Sequence, residues 1–201
     1  MQRWFNDHAD VCMKNKTHMG FAVPTASVNV VYQMCHLFSH YFDEGLGLRQ
    51  LMDYYFALRV WHNDVMECKD LKTQGMWSEG LGTAVMSKEE VMAVLRSFGM
   101  KKFAASVMYV LQEVFAMPSL YYICEPNEKE GKKLLAEIMQ GGNFGQYDTR
   151  DAELKRGGMV KHGVWKLKRV MRLVRSYPEE ALWEPVFRVY HLIWRTLLPH
   201  C

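Results

Sequence analysis

The sequence lacks the features that mark secreted, membrane-spanning and nucleic-acid-binding proteins. Its five cysteines include no Cys-x-x-Cys pair, which excludes a disulfide framework or a zinc ribbon and favours reduced thiols in a cytoplasmic protein. No apolar run approaches the ~18 residues that span a bilayer, and the N-terminus has no apolar signal-peptide core. The net charge of +3 is too small to indicate nucleic acid as a partner.

Signatures of common catalytic sites are also missing. The chain has no Gly-x-Ser-x-Gly elbow and no Asp-x-Asp pair. Their absence removes the usual marks of acyl transfer and of metal-dependent nucleotidyl transfer. The 15 methionines form no strip that would indicate copper, and the sequence alone assigns no metal site.

What the sequence does contain is a strong helical pattern. It is 201 residues long, with 49% hydrophobic and 23% charged residues, a composition typical of one globular domain. The pattern predicts an all-α fold, an irregular bundle of six to eight helices over residues 25–201. Residues 1–24 are interpreted as an N-terminal extension or as the remnant of a missing upstream domain. The predicted helices span 25–45, 48–61, 89–98, 101–117, 127–140, 159–177 and 186–198.

Several details of this prediction can be checked. Ser87 and Glu90 form a capping box at the start of one helix, and Met139 is placed in the buried stripe of another. Residues 63–86 are predicted to be irregular because of their glycines, and 141–158 to form a long polar loop. Residues 120–124 are predicted to be a short strand or an extended connector.

His36 and His40 form the first candidate site. They lie four residues apart on one predicted helical face, a usual spacing for two metal ligands. A metalloprotease His-Glu-x-x-His motif is excluded, since Leu37 follows His36. A third ligand would have to come from Glu44, Asp53 or a more distant residue. We therefore interpret the pair first as hydrogen-bonding members of a helix pair, with a metal-dependent enzyme as the weaker alternative.

The turn that follows is the second candidate. Gly45 and Gly47 let the backbone approach a ligand closely. Arg49, at the start of the next helix, has the donor geometry to bind a carboxylate or a phosphate. Asp53, one turn later, can instead pair with Arg49. We expect Arg49 to be partly buried and paired with a carboxylate, so that a structural and a ligand-binding role both stay open.

Two later segments complete the candidates. Residues 141–148 resemble a phosphate loop only superficially, and Asn143 is interpreted as a turn residue. Residues 155–175 carry eight basic and no acidic residues, typical either of a solvated helix face or of a surface for an anionic partner. The predicted core stripe of this helix is Val160, Val164, Leu167, Met171 and Val174. The predicted anion-binding face, on the opposite side, is Lys161, Lys168, Arg172 and Arg175.

One stretch resembles a known family. His36-Leu-Phe-Ser-His40, followed by Gly45-Leu-Gly-Leu-Arg-Gln-Leu-Met-Asp-Tyr-Tyr55, is similar to the C-terminal half of a bacterial family of nucleotidyltransferases often encoded near surface-polysaccharide genes. The element Gly142-Asn-Phe-Gly145 also resembles a segment of that family. The similarity extends from about Ala22 to Tyr147.

The resemblance implies that the chemistry lies upstream of this region. In the family, an α/β palm with a Gly-x-Asp-x-Asp motif would bind two magnesium ions and a nucleoside triphosphate. This chain has no such motif, so the resemblance implies a helical substrate-binding or palm-packing portion that is not catalytic alone. Its implied partners are the palm domain, in cis or missing, and a nucleotide or other anionic ligand. The motif residues carried over, without a catalytic role, are His36, His40, Arg49, Gln50, Asp53 and Asn143.

A rival hypothesis comes from a different class of protein. The chain could be a stand-alone interaction module, with the basic helix at 155–175 binding an anionic partner by its electrostatic field.

Overall fold

The fold is described from a computed structural model that covers residues 1–43, 45–73 and 85–141, together with Lys161, Gly163, Val164, Lys168, Met171 and Tyr177. Within these residues the regular structure is a helical bundle, which confirms the predicted all-α fold. No described helix is both long enough and apolar enough to cross a membrane. The helices are α1 (Gln2–Asp7), α2 (Ala9–Lys14), α3 (Ala26–Asp43), α4 (Leu48–Thr73), α5 (Lys88–Ser97), α6 (Lys101–Phe115), a 3-10 helix (Ser119–Tyr121) and α7 (Glu128–Gly141).

Two helix pairs form the body of the bundle. α3 packs along α4, and α6 packs along α7. Their apolar residues recur at helical spacing, so each helix presents one continuous face to the core. Tyr177 adds a buried ring, with its centroid 5.6 Å from that of Phe38 and 6.2 Å from that of Phe103. The largest fully buried side chains include Met34, Leu51, Tyr54, Leu58, Leu95, Phe103, Met108, Leu111 and Leu134.

Local sequence signals set several of the described helix ends. The Ser87 hydroxyl accepts a hydrogen bond from the Glu90 amide at 3.2 Å, and the Glu90 carboxylate accepts one from the Ser87 amide at 2.7 Å, which confirms the capping box. The Thr25 hydroxyl accepts from the Val28 amide at 3.3 Å at the start of α3. Gly99 lies between α5 and α6 at φ +77°, a conformation that glycine adopts without steric cost.

The second predicted helix is much longer than expected. α4 runs to Thr73, so the predicted end near Trp61 and the irregular structure predicted from residue 63 are wrong as far as Thr73. Residues 63–73 contain neither glycine nor proline, and the helix continues until it approaches Gly75 because nothing before that residue disfavours it. Residues 85 and 86 are irregular, as predicted, and residues 74–84 lie outside the described part of the chain.

One smaller prediction holds in one of its two alternatives, and another is wrong. Residues 120–124 belong to a connector that begins with the 3-10 helix, as one alternative predicted, and they do not form a strand. Met139 is 68% exposed, not part of the buried stripe of α7. The adjacent Ile138 faces the core, and each step along an α-helix rotates the side chain by about 100°, so Met139 turns away from the contact with α6.

Residues 1–24 contact the bundle through aromatic rings. Trp4 meets Phe98 edge-on with ring centroids 6.1 Å apart, and Phe5 meets Tyr32 in the same way at 6.1 Å. After α2 the chain turns back, and the Val23 amide donates to the Asn15 carbonyl at 2.9 Å. This segment therefore packs against α3 and the end of α5.

Candidate functional site

The site begins with a buried turn between α3 and α4. Gly45 has φ +107°, a region that side chains rarely adopt, and its amide donates to the His40 carbonyl at 2.7 Å. Gly45, Leu46 and Gly47 are all buried. The chain therefore reverses within a few residues, and the C-terminal end of α3 and the N-terminal end of α4 lie at the same end of the helix pair.

Gln50 has a local structural role in this turn. Its side-chain carbonyl Oε1 accepts a hydrogen bond from the Gly47 amide at 2.9 Å. The first amides of a helix have no partner within the helix. The Gln50 side chain supplies a hydrogen-bond acceptor for one such amide, that of Gly47, just before α4. We conclude that this member of the family-like motif orients the start of α4.

Arg49 and Asp53 lie on the outside of the same helix end. Both side chains are exposed, so the expected partial burial of Arg49 is wrong. No ion pair joins them within the described part of the chain. Arg49 and Asp53 are exposed because of the register of α4. Leu51 and Tyr54 are fully buried, which leaves positions 49 and 53 facing away from the core. Arg49 therefore presents its donors to solvent or to a ligand.

His36 and His40 meet on the exposed side of α3. Their Nε2 atoms are 3.0 Å apart, and the rings are nearly perpendicular, with centroids 4.3 Å apart. On its other side, His36 stacks nearly parallel to Tyr32 at 6.0 Å. Partial desolvation and, secondarily, the charge of His40 lower the pKa of His36. The two rings therefore share one helical face, as their spacing predicts, and they also contact each other directly.

The residues that the structure describes do not build a magnesium site of the kind that the resemblance implies for a full-length family member. Among the described residues, no three His, Cys, Asp or Glu side chains group closely enough to hold a metal ion. The two aspartates near the turn, Asp43 and Asp53, belong to different helices. We therefore derive no step through magnesium or a nucleoside triphosphate.

The basic segment is described at only a few positions, and these correct the prediction. Lys161 and Lys168 are exposed, but Val164 and Met171, placed in the core stripe, are also 43% and 65% exposed. Residues three apart on a helix differ by only about 60° around its axis, so Val164 cannot face opposite Lys161. Val164 and Met171 therefore do not belong to a buried stripe. Asn143, Arg172 and Arg175, the loop at 142–158 and the helix at 186–198 lie outside the described residues.

Sequence reasoning missed a buried polar group at the centre of the bundle. The Tyr54 hydroxyl is fully buried and has no hydrogen-bond partner. Burial, together with the neighbouring thiols of Cys124 and Cys35, raises its pKa well above the usual value. Desolvation likewise raises the pKa of Cys35 and of Cys124 to about 11. No sequence signal could have revealed this group, because its members lie on α3, on α4 and in the connector before α7.

A cleft also escaped the sequence analysis. It has a volume of about 220 Å³ and lies between α4 and the start of α5, with Trp61, His62, Lys88 and Tyr122 in its wall. The Trp61 indole donates to the Met86 carbonyl at 3.0 Å across one side. The sequence analysis missed the cleft because it predicted that α4 ends near Trp61, the first residue along the chain that lines the cleft. None of the family-like motif residues lines it.

Comparisons of the chain with models of protein families, with curated proteins and with solved structures found no match. The motif at residues 36–55 is therefore the basis for any functional assignment, together with the geometry described above.

Proposed function

We propose that the chain is the helical, substrate-binding or palm-packing portion of a nucleotidyltransferase-like protein. The observation that supports this most is the position of the motif. Its buried members Leu46, Leu51 and Tyr54 hold the α3–α4 junction together. Its polar members His36, Arg49 and Asp53 are exposed at or near that junction, where they are available to a nucleotide, an acceptor or a second domain.

Under this proposal the region binds but does not catalyse alone. The chain lacks an Asp-x-Asp pair, and two-metal transfer needs carboxylates that fix both ions. We expect purified protein to transfer no nucleotidyl group from any nucleoside triphosphate with magnesium. Metal-dependent transfer that persists through repeated purification would contradict the proposal.

Binding by Arg49 provides the sharper test. An arginine that forks onto a phosphate contributes a charge-assisted hydrogen bond of about 1.5–3 kcal/mol. Arg49→Ala should therefore weaken the binding of a magnesium–nucleoside triphosphate complex by at least tenfold in calorimetry. The matched control is Arg96→Ala, since Arg96 is also an exposed helical arginine but lies in the last turn of α5. Equal effects of both changes would mean that the binding is a nonspecific charge effect.

The second candidate function is an interaction module, favoured by one specific observation. Lys161 and Lys168 are exposed helical residues, and so are Val164 and Met171, so both cations and apolar groups of this segment face solvent. Heparin binding that weakens steeply with salt is expected for such a surface. Lys161→Glu with Lys168→Glu should abolish it, whereas Lys101→Glu with Lys129→Glu, an equal change in charge at exposed sites elsewhere, should not. Identical behaviour of the two double variants would exclude this function.

A further inference from the structure

The contact between His36 and His40 has a geometry that suits more than a hydrogen bond. As a hydrogen bond it requires one ring to donate from Nε2 and the other to accept there. Both nitrogens, however, lie on one exposed side of α3, 3.0 Å apart. Two imidazole nitrogens at this separation are also within bonding distance of one shared metal ion, since each binds such an ion at about 2.0–2.1 Å.

The separation of the two nitrogens decides which ion would fit. Imidazole nitrogens bind first-row divalent ions at about 2.0–2.1 Å. Two such bonds to nitrogens 3.0 Å apart enclose an angle of about 95° at the metal. An angle of this size suits a tetragonal or octahedral ion, whose neighbouring ligands stand at about 90°.

We propose that His36 and His40 form a two-histidine chelate for a divalent transition metal ion of tetragonal or octahedral geometry, of which Ni²⁺ is the practical representative. Both ligands come from consecutive turns of one helix, so α3 holds them in register before the ion arrives. Water completes the coordination. This proposal is independent of the proposed nucleotidyltransferase relationship.

One further observation describes the surroundings of this pair. The near-parallel Tyr32 ring has its centroid 6.0 Å from that of His36. His36 is exposed and His40 half-buried, so the pair can be reached from solvent.

The test is calorimetric titration of the tag-free protein with Ni²⁺ and, separately, with Zn²⁺ in a non-chelating buffer at pH 7. We expect a Ni²⁺ site of one equivalent, tighter than that for Zn²⁺. His36→Ala and His40→Ala should each weaken Ni²⁺ binding at least tenfold, since each leaves a single imidazole. His18→Ala is the control, because His18 is an exposed histidine outside the pair.

A rescue variant separates chelation from a loss of structure. Tyr32 stands four residues before His36 and is 52% exposed. Tyr32→His in the His40→Ala background should therefore rebuild the same spacing one turn earlier and restore Ni²⁺ affinity. Single variants that bind Ni²⁺ like the unaltered protein would overturn the proposal, as would a rescue variant that stays weak. Tighter binding of Zn²⁺ than of Ni²⁺ at this pair would overturn the assigned geometry.

Discussion

The two helix pairs of the bundle use their polar side chains differently. Between α6 and α7, Lys102 pairs with Glu130 at 3.3 Å, and Glu130 also accepts from Lys133 at 2.8 Å. At the junction of α3 and α4, Arg49 and Asp53 are exposed and do not pair with each other. The α6–α7 pair neutralises these charges by ion pairs among its own residues, whereas the α3–α4 pair has polar groups that face solvent. Charge satisfied inside a contact stabilises the fold, while charge presented to solvent is available for recognition.

The close approach of α6 and α7 gives the largest expected effect. Gly131 is buried against Tyr109, and a Cβ at position 131 would overlap Tyr109 atoms that include its own Cβ. The ring cannot avoid this overlap by rotation alone, because Cβ is fixed to the backbone. Gly131→Ala should therefore lower the free energy of unfolding by about 1–3 kcal/mol in denaturant titration, despite the better helix propensity of alanine.

Gly141, in the same helix, is the matched control. A Cβ there would meet no atom within 4 Å, so Gly141→Ala should change stability by less than about 0.5 kcal/mol. If both glycine variants behaved alike, the tight contact between α6 and α7 would not be what stabilises that pair.

The Glu130 ion pairs give a smaller, pH-dependent effect. Burial raises the pKa of Glu130, but its bonds to Lys133 and Lys102 outweigh that effect, and the pKa falls below 4.5. A carboxylate with a lowered folded-state pKa stabilises the fold above its unfolded pKa, and this contribution is lost as the pH falls through the folded value. Glu130→Gln should cost about 1 kcal/mol at pH 7, and the difference should shrink below about pH 4.5.

Chemical denaturation at pH 7 and pH 3 checks this sign. Glu128→Gln is the control, since Glu128 pairs with Lys132 at the surface, with side chains 70% and 62% exposed, where ion pairs contribute little. A Glu130→Gln deficit that grew on acidification would mean that the carboxylate is not stabilised by the two lysines.

Replacing Arg49 should have the smallest effect on stability and tests the contrast between the two helix pairs. An exposed side chain that forms no ion pair with a described neighbour has little to lose, so Arg49→Ala should shift the free energy of unfolding by less than about 0.5 kcal/mol. The sequence-based expectation of a partly buried ion pair required a larger loss. A clear drop in melting temperature would show that Arg49 supports the turn instead of facing a ligand.

Local chemistry was predictable from the sequence. The capping box at Ser87, the helix end before Gly45 and the buried face of α3 each depend on residues within one or two turns. The two histidines could be placed on one helical face for the same reason. Such features need no knowledge of what packs against them.

Features set by distant packing were not predictable. The end of α4 was predicted too early because the glycines later in the segment were taken to make all of it irregular. The residues before those glycines instead continue the helix. The burial of Arg49 depended on which face of α4 meets α3. The error at Val164 and Met171 was geometric, since the expected opposite faces were only about 60° apart. The Tyr54 group joins three separate segments and leaves no local pattern.

The reactivity of the two thiols beside Tyr54 can be used to detect opening of the bundle. With a pKa of about 11, only about one Cys35 or Cys124 side chain in 10⁴ is a thiolate at pH 7. Both thiols are only half-buried, so an alkylating reagent should label them slowly in the folded state and faster in molecules whose helices have briefly separated. A change in either labelling rate then reports the opening of that part of the molecule, with no probe added to the chain.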